Sequence, residues 1–289
     1  MSVPKKILRR LSQGIPDEAY LRMLYCCKMR RKLHLHPPVT FTEKLQWLKL
    51  YDRNPLYTKL ADKYAVKAYV AEKVGKAHIV PTLGLWERPE DMDFSALPRQ
   101  FVLKCTHDSN SVILCRDKEK LDKAAACRRL KEKLQENYYY FGREWPYKDV
   151  PPRILCETYL EDEIKNYKFF CFYGRPRFLY VSVGLGKDVR MFFCDMDWNR
   201  LPFRNTAYGP LDASLEKPAC FAEMAAMAEA LSAGIPFVRI DLFAVAGHVY
   251  FSEYTFTPTS GFMVFDPPEY DKILGDYLPL PPAGEEKPG

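Results

Sequence analysis

The chain has 289 residues, 43 Lys+Arg against 37 Asp+Glu for a formal charge of +6, and 47% hydrophobic residues. That is enough chain for one large domain or two small lobes with real cores, and 14% aromatic content is too apolar for a disordered protein. The longest stretch free of charged residues, between Glu253 and Asp266, is 12 residues long and holds Pro258 and Gly261, short of the roughly 18 that a membrane-spanning helix needs.

The first 36 residues carry nine basic and two acidic side chains, a local balance of +7 that leaves −1 for the remainder. They run straight into charges without the apolar stretch of a secretory signal, so a cytoplasmic location is expected. After Pro16, the residues Tyr20, Met23, Leu24 and Cys27 recur at helical spacing, with acids in the first turn and bases in the last. This predicts an amphipathic helix that complements its own dipole. Two readings of the segment stand: peripheral contact of residues 1–36 with an anionic membrane surface at its inner face, or a helix docked on the body with a solvated basic face. On charge, residues 1–38 are set apart as a basic helical extension.

Further helices are predicted to start at Thr42, whose hydroxyl caps the run Glu43–Leu48, and near Thr58, continuing through Lys63 and Lys67 to Gly75. Past a loop rich in Pro and acids at 87–99, Phe101–Cys105 and Ser111–Cys115 read as two short strands around a polar turn. A helix over about 119–140 follows, then strands at 153–157, 167–173, 176–183 and 190–194. Met224, Met227, Ala228 and Leu231 form the stripe of a helix over 219–233, with Gly234 just past its end. A last hairpin joins Phe237–Phe243 to Val249–Thr255 through a turn near Ala246-Gly247. This order gives an α+β protein with antiparallel sheets rather than an alternating βαβ fold. Its parts are a helical or α+β region over 39–100, a small lobe over 101–157, a large lobe over 158–280 and a loose tail at 281–289.

The nine cysteines are odd in number and contain no C-x-x-C pair, so they read as reduced structural thiols. The five histidines are too scattered for a zinc site. Strand alternation places Arg239 and Asp241 on one face, and Glu253 and Thr255 on one face of the partner strand, while Val238, Ile240 and Leu242 point the other way. Two carboxylates on adjacent strands with a hydroxyl two residues on suit Mg²⁺, with Arg239 beside them to neutralise a phosphate. A half-exposed hairpin whose charges merely face water fits the same spacing. Lys104 sits in an apolar strand just before the small polar turn, an arrangement that suits a phosphate cradle, although the P-loop pattern is absent and an edge-strand lysine before an ordinary turn is equally consistent. Asp195-Met196-Asp197 has the D-x-D form of nucleotide-sugar sites and reads first as a turn between strands. The aromatics do not interleave with the basic segment, which argues against a nucleic-acid partner.

Six stretches, Phe41–Asp52, Ala61–Lys67, Phe101–Ser109, Tyr138–Tyr147, Tyr167–Phe172 and Phe237–Leu242, resemble in order and spacing the ATP-grasp superfamily, most closely its TupA-like branch found with bacterial surface-polysaccharide genes. The resemblance covers about residues 39–280 and implies two α+β lobes that clamp ATP, preceded by a helical N-terminal segment. It implies an ATP- and Mg²⁺-dependent ligase that joins a carboxylate to an amine through an acyl phosphate. Lys63 and Lys104 look like the phosphate lysines, with His107, Asp108, Ser109, Asn110 and Ser111 as the loop closing over them. Glu157, Thr158, Tyr159 and Leu160 resemble the hinge that reads adenine, and one of Glu161, Asp162 or Glu163 is expected on the ribose. Asp241, Glu253 and Thr255 resemble the metal ligands, and Arg239 and Lys168 the cations at the transferred phosphoryl group or substrate. Two departures stand out: Thr255 replaces an Asn frequent in related ligases, and Ser109-Asn110-Ser111 replaces glycines in the phosphate loop. The implied substrate is a small molecule or glycan: a uronic acid, sugar or amino acid. A kinase acting on a sugar hydroxyl, a glycosyltransferase and a non-enzymatic binding protein are the alternatives.

Overall fold

A computed structural model describes residues 12–109, 111–160, 164–184, 188–211 and 215–280. The chain enters through helix α1 (Asp17–Met29), which has Asp17 and Glu18 in its first turn and ends where Arg30 turns left-handed at φ 57°. Helix α2 (Phe41–Tyr51) is closed by a capping box: the Thr40 hydroxyl accepts the Glu43 amide at 3.4 Å, and the Glu43 carboxylate accepts the Thr40 amide at 3.0 Å. Thr42, the expected cap, lies inside the helix and donates to Asp271 Oδ2 at 2.7 Å. Two threonines flank Phe41, and the box selects the one that stands three residues before the glutamate.

The single helix expected from Thr58 to Gly75 is two, α3 (Leu56–Ala61) and α4 (Ala65–Val74). The Asp62 carboxylate accepts the amides of Tyr64 and Ala65 at 2.8 and 3.1 Å, which ends one helix and restarts the next. The long helix expected at 119–140 shortens to α5 (Lys123–Leu134), capped by Asp122 on the Ala125 amide at 2.8 Å, and the aromatic run beyond it forms the short α6 (Tyr139–Gly142).

Two antiparallel sheets follow. The smaller has the order β1 (Thr82–Trp86), β4 (Ile154–Thr158), β2 (Phe101–Cys105), β3 (Ile113–Cys115). One of its faces packs Phe101, Leu103, Cys105, Ile154 and Cys156 against Leu130 of α5. The larger runs β11 (His248–Thr255), β10 (Phe237–Val245), β5 (Asn166–Phe172), β6 (Arg175–Val183), β7 (Arg190–Asp195), β9 (Gly209–Pro210), with only the β7–β9 pair parallel. Its first face buries Phe169, Cys171, Val238, Ile240 and Leu242 under helix α7 (Phe221–Ser232). Its second face is aromatic, with Phe170, Phe172, Phe178 and Phe193 packed against α1, α2 and helix α8 (Tyr270–Asp276).

The described part of the basic N-terminal segment belongs to this second core. Leu21 and Tyr25 are fully buried, and Leu33 and Leu35 nearly so. Asp17 accepts from Arg53 at 2.8 Å and from the Tyr139 hydroxyl at 2.6 Å, so α1 is docked on the body. Residues 1–11 and the tail 281–289 lie outside the described residues.

One helix carries an unusual buried charge. Lys49 of α2 donates to Gln46 Oε1 at 3.0 Å and to the carbonyls of Gly142 and Ser260 at 2.7 Å each, and burial pushes its pKa down to about 8. The unfolded chain keeps this proton to about pH 10.4, so above about pH 8 the unfolded state binds more protons than the folded one and stability rises with pH. The unfolding free energy of the wild type, less that of Lys49→Met/Glu144→Gln, should rise between about pH 8 and about pH 9.5 at no more than ~1.4 kcal/mol per pH unit in denaturant titrations. A flat or falling difference would contradict the buried-ammonium assignment.

Candidate functional site

Five strands of the large sheet align one row of directly opposed residues: Glu253, Asp241, Lys168, Tyr180 and Phe193. Opposed residues share a face, so the row runs from two carboxylates through an ammonium to two aromatic rings. Arg239 and Thr255, opposed to each other, begin the next row on the same face, as strand alternation requires. Arg239 grips Asp241 as a fork, with both contacts at 2.6 Å, and donates to the Thr255 hydroxyl at 3.0 Å. Lys168 Nζ lies 2.8 Å from Asp241 Oδ2. Glu253 is looser, 4.0 Å from Arg239, with its side chain 33% exposed against 1% for Asp241. The Tyr180 ring lies beside both cations, its centroid 5.5 Å from Arg239 Cζ and 5.8 Å from Lys168 Nζ.

Burial alone would raise the Asp241 pKa, but Arg239 and Lys168 hold its carboxyl below the usual range. Burial works against charge on Lys168 and Arg239 as well, and Asp241 nonetheless raises both. The three groups are therefore ionised together, Asp241 stabilising both cations and both cations stabilising Asp241.

On the small sheet, Lys104 and Glu157 face away from the apolar core because they alternate with Leu103 and Cys105 and with Cys156. The two oxygens of Glu157 contact the ammoniums of Lys104 and Lys67 at 2.5 Å each. Burial disfavours the Glu157 charge, yet the two lysines keep its carboxyl below the usual range, and burial lowers Lys67. Lys67 also donates to the Val80 carbonyl at 2.8 Å. Its role escapes the sequence pattern; the signal was its position four residues after Lys63. Tyr180, one of many strand aromatics, gave no signal at all.

Lys63 is bonded to the loop that follows β2 and feels the charge of the large sheet. Its amide donates to the Thr106 carbonyl at 3.1 Å and its ammonium to the Asp108 carbonyl. Burial lowers its pKa, while Glu253 of the large sheet and Asp108 of the loop pull it up. The loop itself is braced internally: Ser111 Oγ donates to Asp108 Oδ1 at 2.6 Å and accepts the Cys105 amide at 2.7 Å. His107 is buried, with Nε2 at 3.2 and 3.0 Å from the carbonyls of Lys133 and Glu136, which anchors the loop to the end of α5. Ser109 is exposed at the tip. Thr158 donates its amide to the Pro81 carbonyl at 3.1 Å, with Tyr159 and Leu160 following. Asn110 and the acids Glu161, Asp162 and Glu163 lie outside the described residues. The Asp195 carboxylate accepts the amides of Asp197 and Asn199 at 3.0 and 2.8 Å, so the D-x-D sequence is a self-bonded turn.

Among the described residues, no group of three or more His, Cys, Asp or Glu gathers as a metal cluster. Two opposed carboxylates with a hydroxyl nearby fit a hard cation that completes its shell with phosphate oxygens and water. Both Asp241 oxygens are engaged by Arg239 and Lys168, so a cation there must displace them. The donor set thus fits a metal that arrives together with phosphate, which takes up the freed cations.

The sequence profile described as TupA-like ATPgrasp matches residues 43–279. Among solved structures, the chain is similar to D-alanine–D-alanine ligase from Bacillus anthracis, with 16% identity over 80% of this chain and 72% of that one and a TM-score of 0.44. It is similar also to L-amino acid ligase from Bacillus licheniformis, with 14% identity over 91% of this chain and 62% of that one and a TM-score of 0.49. No curated protein matches in sequence.

The unequal burial of the two carboxylates gives a test. Asp241→Asn leaves the buried Arg239 and Lys168 with only the looser Glu253 as counter-charge and should cost roughly 3–5 kcal/mol of unfolding free energy in urea titrations. Glu253→Gln should cost no more than about 1 kcal/mol. Equal losses would contradict this account of the row.

Proposed function

The chain belongs to the TupA-like ATP-grasp family, and from that membership we propose that it is an ATP-dependent ligase joining a carboxylate to an amine with release of ADP and phosphate. The observation that carries the reading is Lys63, which lies within the electrostatic reach of Glu253 on the large sheet and of Lys104 and Asp108 on the small one. A polyanion seated there meets cations from both sides.

In this reading Lys63 and Lys104 bind the ATP phosphates, beneath the loop of His107, Asp108, Ser109, Asn110 and Ser111. Glu157 holds the charge of Lys104 and Lys67 in balance until phosphate replaces it as their partner. Backbone groups of Glu157, Thr158, Tyr159 and Leu160 read the adenine, and Glu163 takes the ribose. Asp241, Glu253 and Thr255 hold Mg²⁺, which when bound neutralises the phosphoryl oxygens and draws charge from the bond that breaks. Arg239 and Lys168, released from Asp241, turn to the transferring phosphoryl group, and Tyr180 keeps both cations within its reach. The substrate carboxylate attacks the γ-phosphorus, ADP leaves, and an amine attacks the resulting acyl phosphate, expelling phosphate and losing its proton to solvent. No covalent enzyme intermediate is needed.

The substrates fall in the class of uronic acids, sugars and amino acids, free or on a cell-surface polysaccharide, and the reaction takes place in the cytoplasm. Any contact with an anionic membrane rests on the bases of residues 1–36 that the body leaves unengaged. Arg22 is held by Glu18 and the Leu33 carbonyl, and Arg31 by Asp271.

Hydroxylamine tests the chemistry, because it traps an acyl phosphate as a hydroxamate and leaves a sugar phosphate untouched. With Mg²⁺, ATP and a panel of uronic and amino acids, a hydroxamate should form in step with ADP, and Glu253→Gln should slow it by roughly a hundredfold or more. ADP formation with a phosphorylated sugar and no hydroxamate would identify a kinase instead.

A further inference from the structure

Two buried charged residues stand outside all of these steps. Lys49 and Glu144 are 3% and 4% exposed and converge on the segment that leaves β11. The Thr257 hydroxyl donates to Glu144 Oε2. Lys49 donates to the carbonyls of Ser260 and Gly142, and Gln46 Nε2 donates to the Gly261 carbonyl at 2.9 Å. Three separate pieces of chain, α2, the 142–144 corner and the 257–261 turn, are thereby tied at one point.

The turn so held is strained. Thr259 and Ser260 lie at φ 52° and 53°, both left-handed, and Gly261 follows at φ 72°. Two successive residues with side chains are disfavoured in that region and persist only where the surroundings fix them. The fit leaves no slack: a Cβ on Gly142 would stand 1.9 Å from Ser260 Oγ, and one on Gly261 would stand 2.4 Å from Gln46 Nε2. Stability does not explain two buried charges here, because buried ionic groups are commonly no more stable than apolar groups of the same shape. Position offers an explanation. The turn begins just beyond Thr255, the last residue of β11.

We propose that Lys49 and Glu144 are positioning residues: by fixing the 257–261 turn they set the end of β11, and so the geometry in which Glu253 and Thr255 meet a divalent cation. The inference rests on the reading of those two residues as metal ligands. Its chemical consequence is selectivity. Mg²⁺ demands near-ideal octahedral geometry at short distance, whereas Ca²⁺ tolerates longer and irregular shells. A loosened strand end therefore weakens Mg²⁺ far more than Ca²⁺.

Calorimetric titration of the full chain with ATP in Mg²⁺, in Ca²⁺ and in EDTA tests this. In Lys49→Met/Glu144→Gln, which removes both charges together, the Mg²⁺-dependent gain in ATP affinity should fall by about tenfold, while affinity in EDTA is unchanged and the Ca²⁺-dependent gain changes less than about twofold. Thr259→Pro, at an exposed position, forces the turn out of its left-handed path without touching the core and should give the same pattern. It decides the matter if the double variant does not fold. Retention of the wild-type Mg²⁺ gain by both variants overturns the inference, as does equal weakening in all three conditions, which marks general loosening. A wild type without any Mg²⁺-dependent gain removes the ligand reading itself and this inference with it.

Discussion

The carboxylate of Asp241 is buried to 1% exposure in the middle of a six-stranded sheet, and only Arg239 and Lys168 make that burial tolerable. All three are placed by the antiparallel register that sets Asp241 opposite Lys168 on one side and Glu253 on the other. The constraint reaches the rest of the second face. Beyond Lys168 the same row turns to Tyr180 and Phe193, which join the aromatic core under α1, α2 and α8. At the charged end of the row, Glu253 lies within the electrostatic reach of Lys63.

The same device appears twice. Asp241 lies between Arg239 and Lys168, and Glu157 between Lys67 and Lys104. Each carboxylate stabilises two cations that would repel one another without it, and Lys104 of the Glu157 group and Glu253 beside the Asp241 group both act electrostatically on Lys63. In the proposed reading, a bound polyanion with its metal would rearrange these pairings without creating an unpaired buried charge: phosphate would take the cations, and the metal would take Asp241. Preorganised charges that need only exchange partners lower the reorganisation that accompanies phosphoryl transfer.

Much of this was legible in the sequence because strand alternation is strict. Arg239, Asp241, Glu253 and Thr255 fall on one face by spacing alone, and Val238, Ile240 and Leu242 fall on the other. The α+β class followed from element order, and the family from stretches spread over most of the chain. What escaped was decided by tertiary contacts or by competition between neighbours. Thr40 outcompeted Thr42 because only it has Glu43 three residues on. Asp62 broke a helix by bonding to amides that a periodic pattern treats as helical. Lys67 and Tyr180 gain meaning only from partners in distant strands, Glu157 in one case and Lys168 and Arg239 in the other. The charge of residues 1–36 hid a second property of that segment, since Leu21, Tyr25, Leu33 and Leu35 build core while Lys28, Arg30 and Lys32 are exposed.

The partner exchange at Asp241 is the central claim, and a crystal structure with ADP and Mn²⁺ reads it directly. The account predicts an anomalous metal peak between the carboxylates of Asp241 and Glu253, with the Arg239 fork and the Lys168 ammonium turned from Asp241 to phosphate oxygens. Nucleotide and metal bound while the Arg239–Asp241 fork stays closed at 2.6 Å would contradict it.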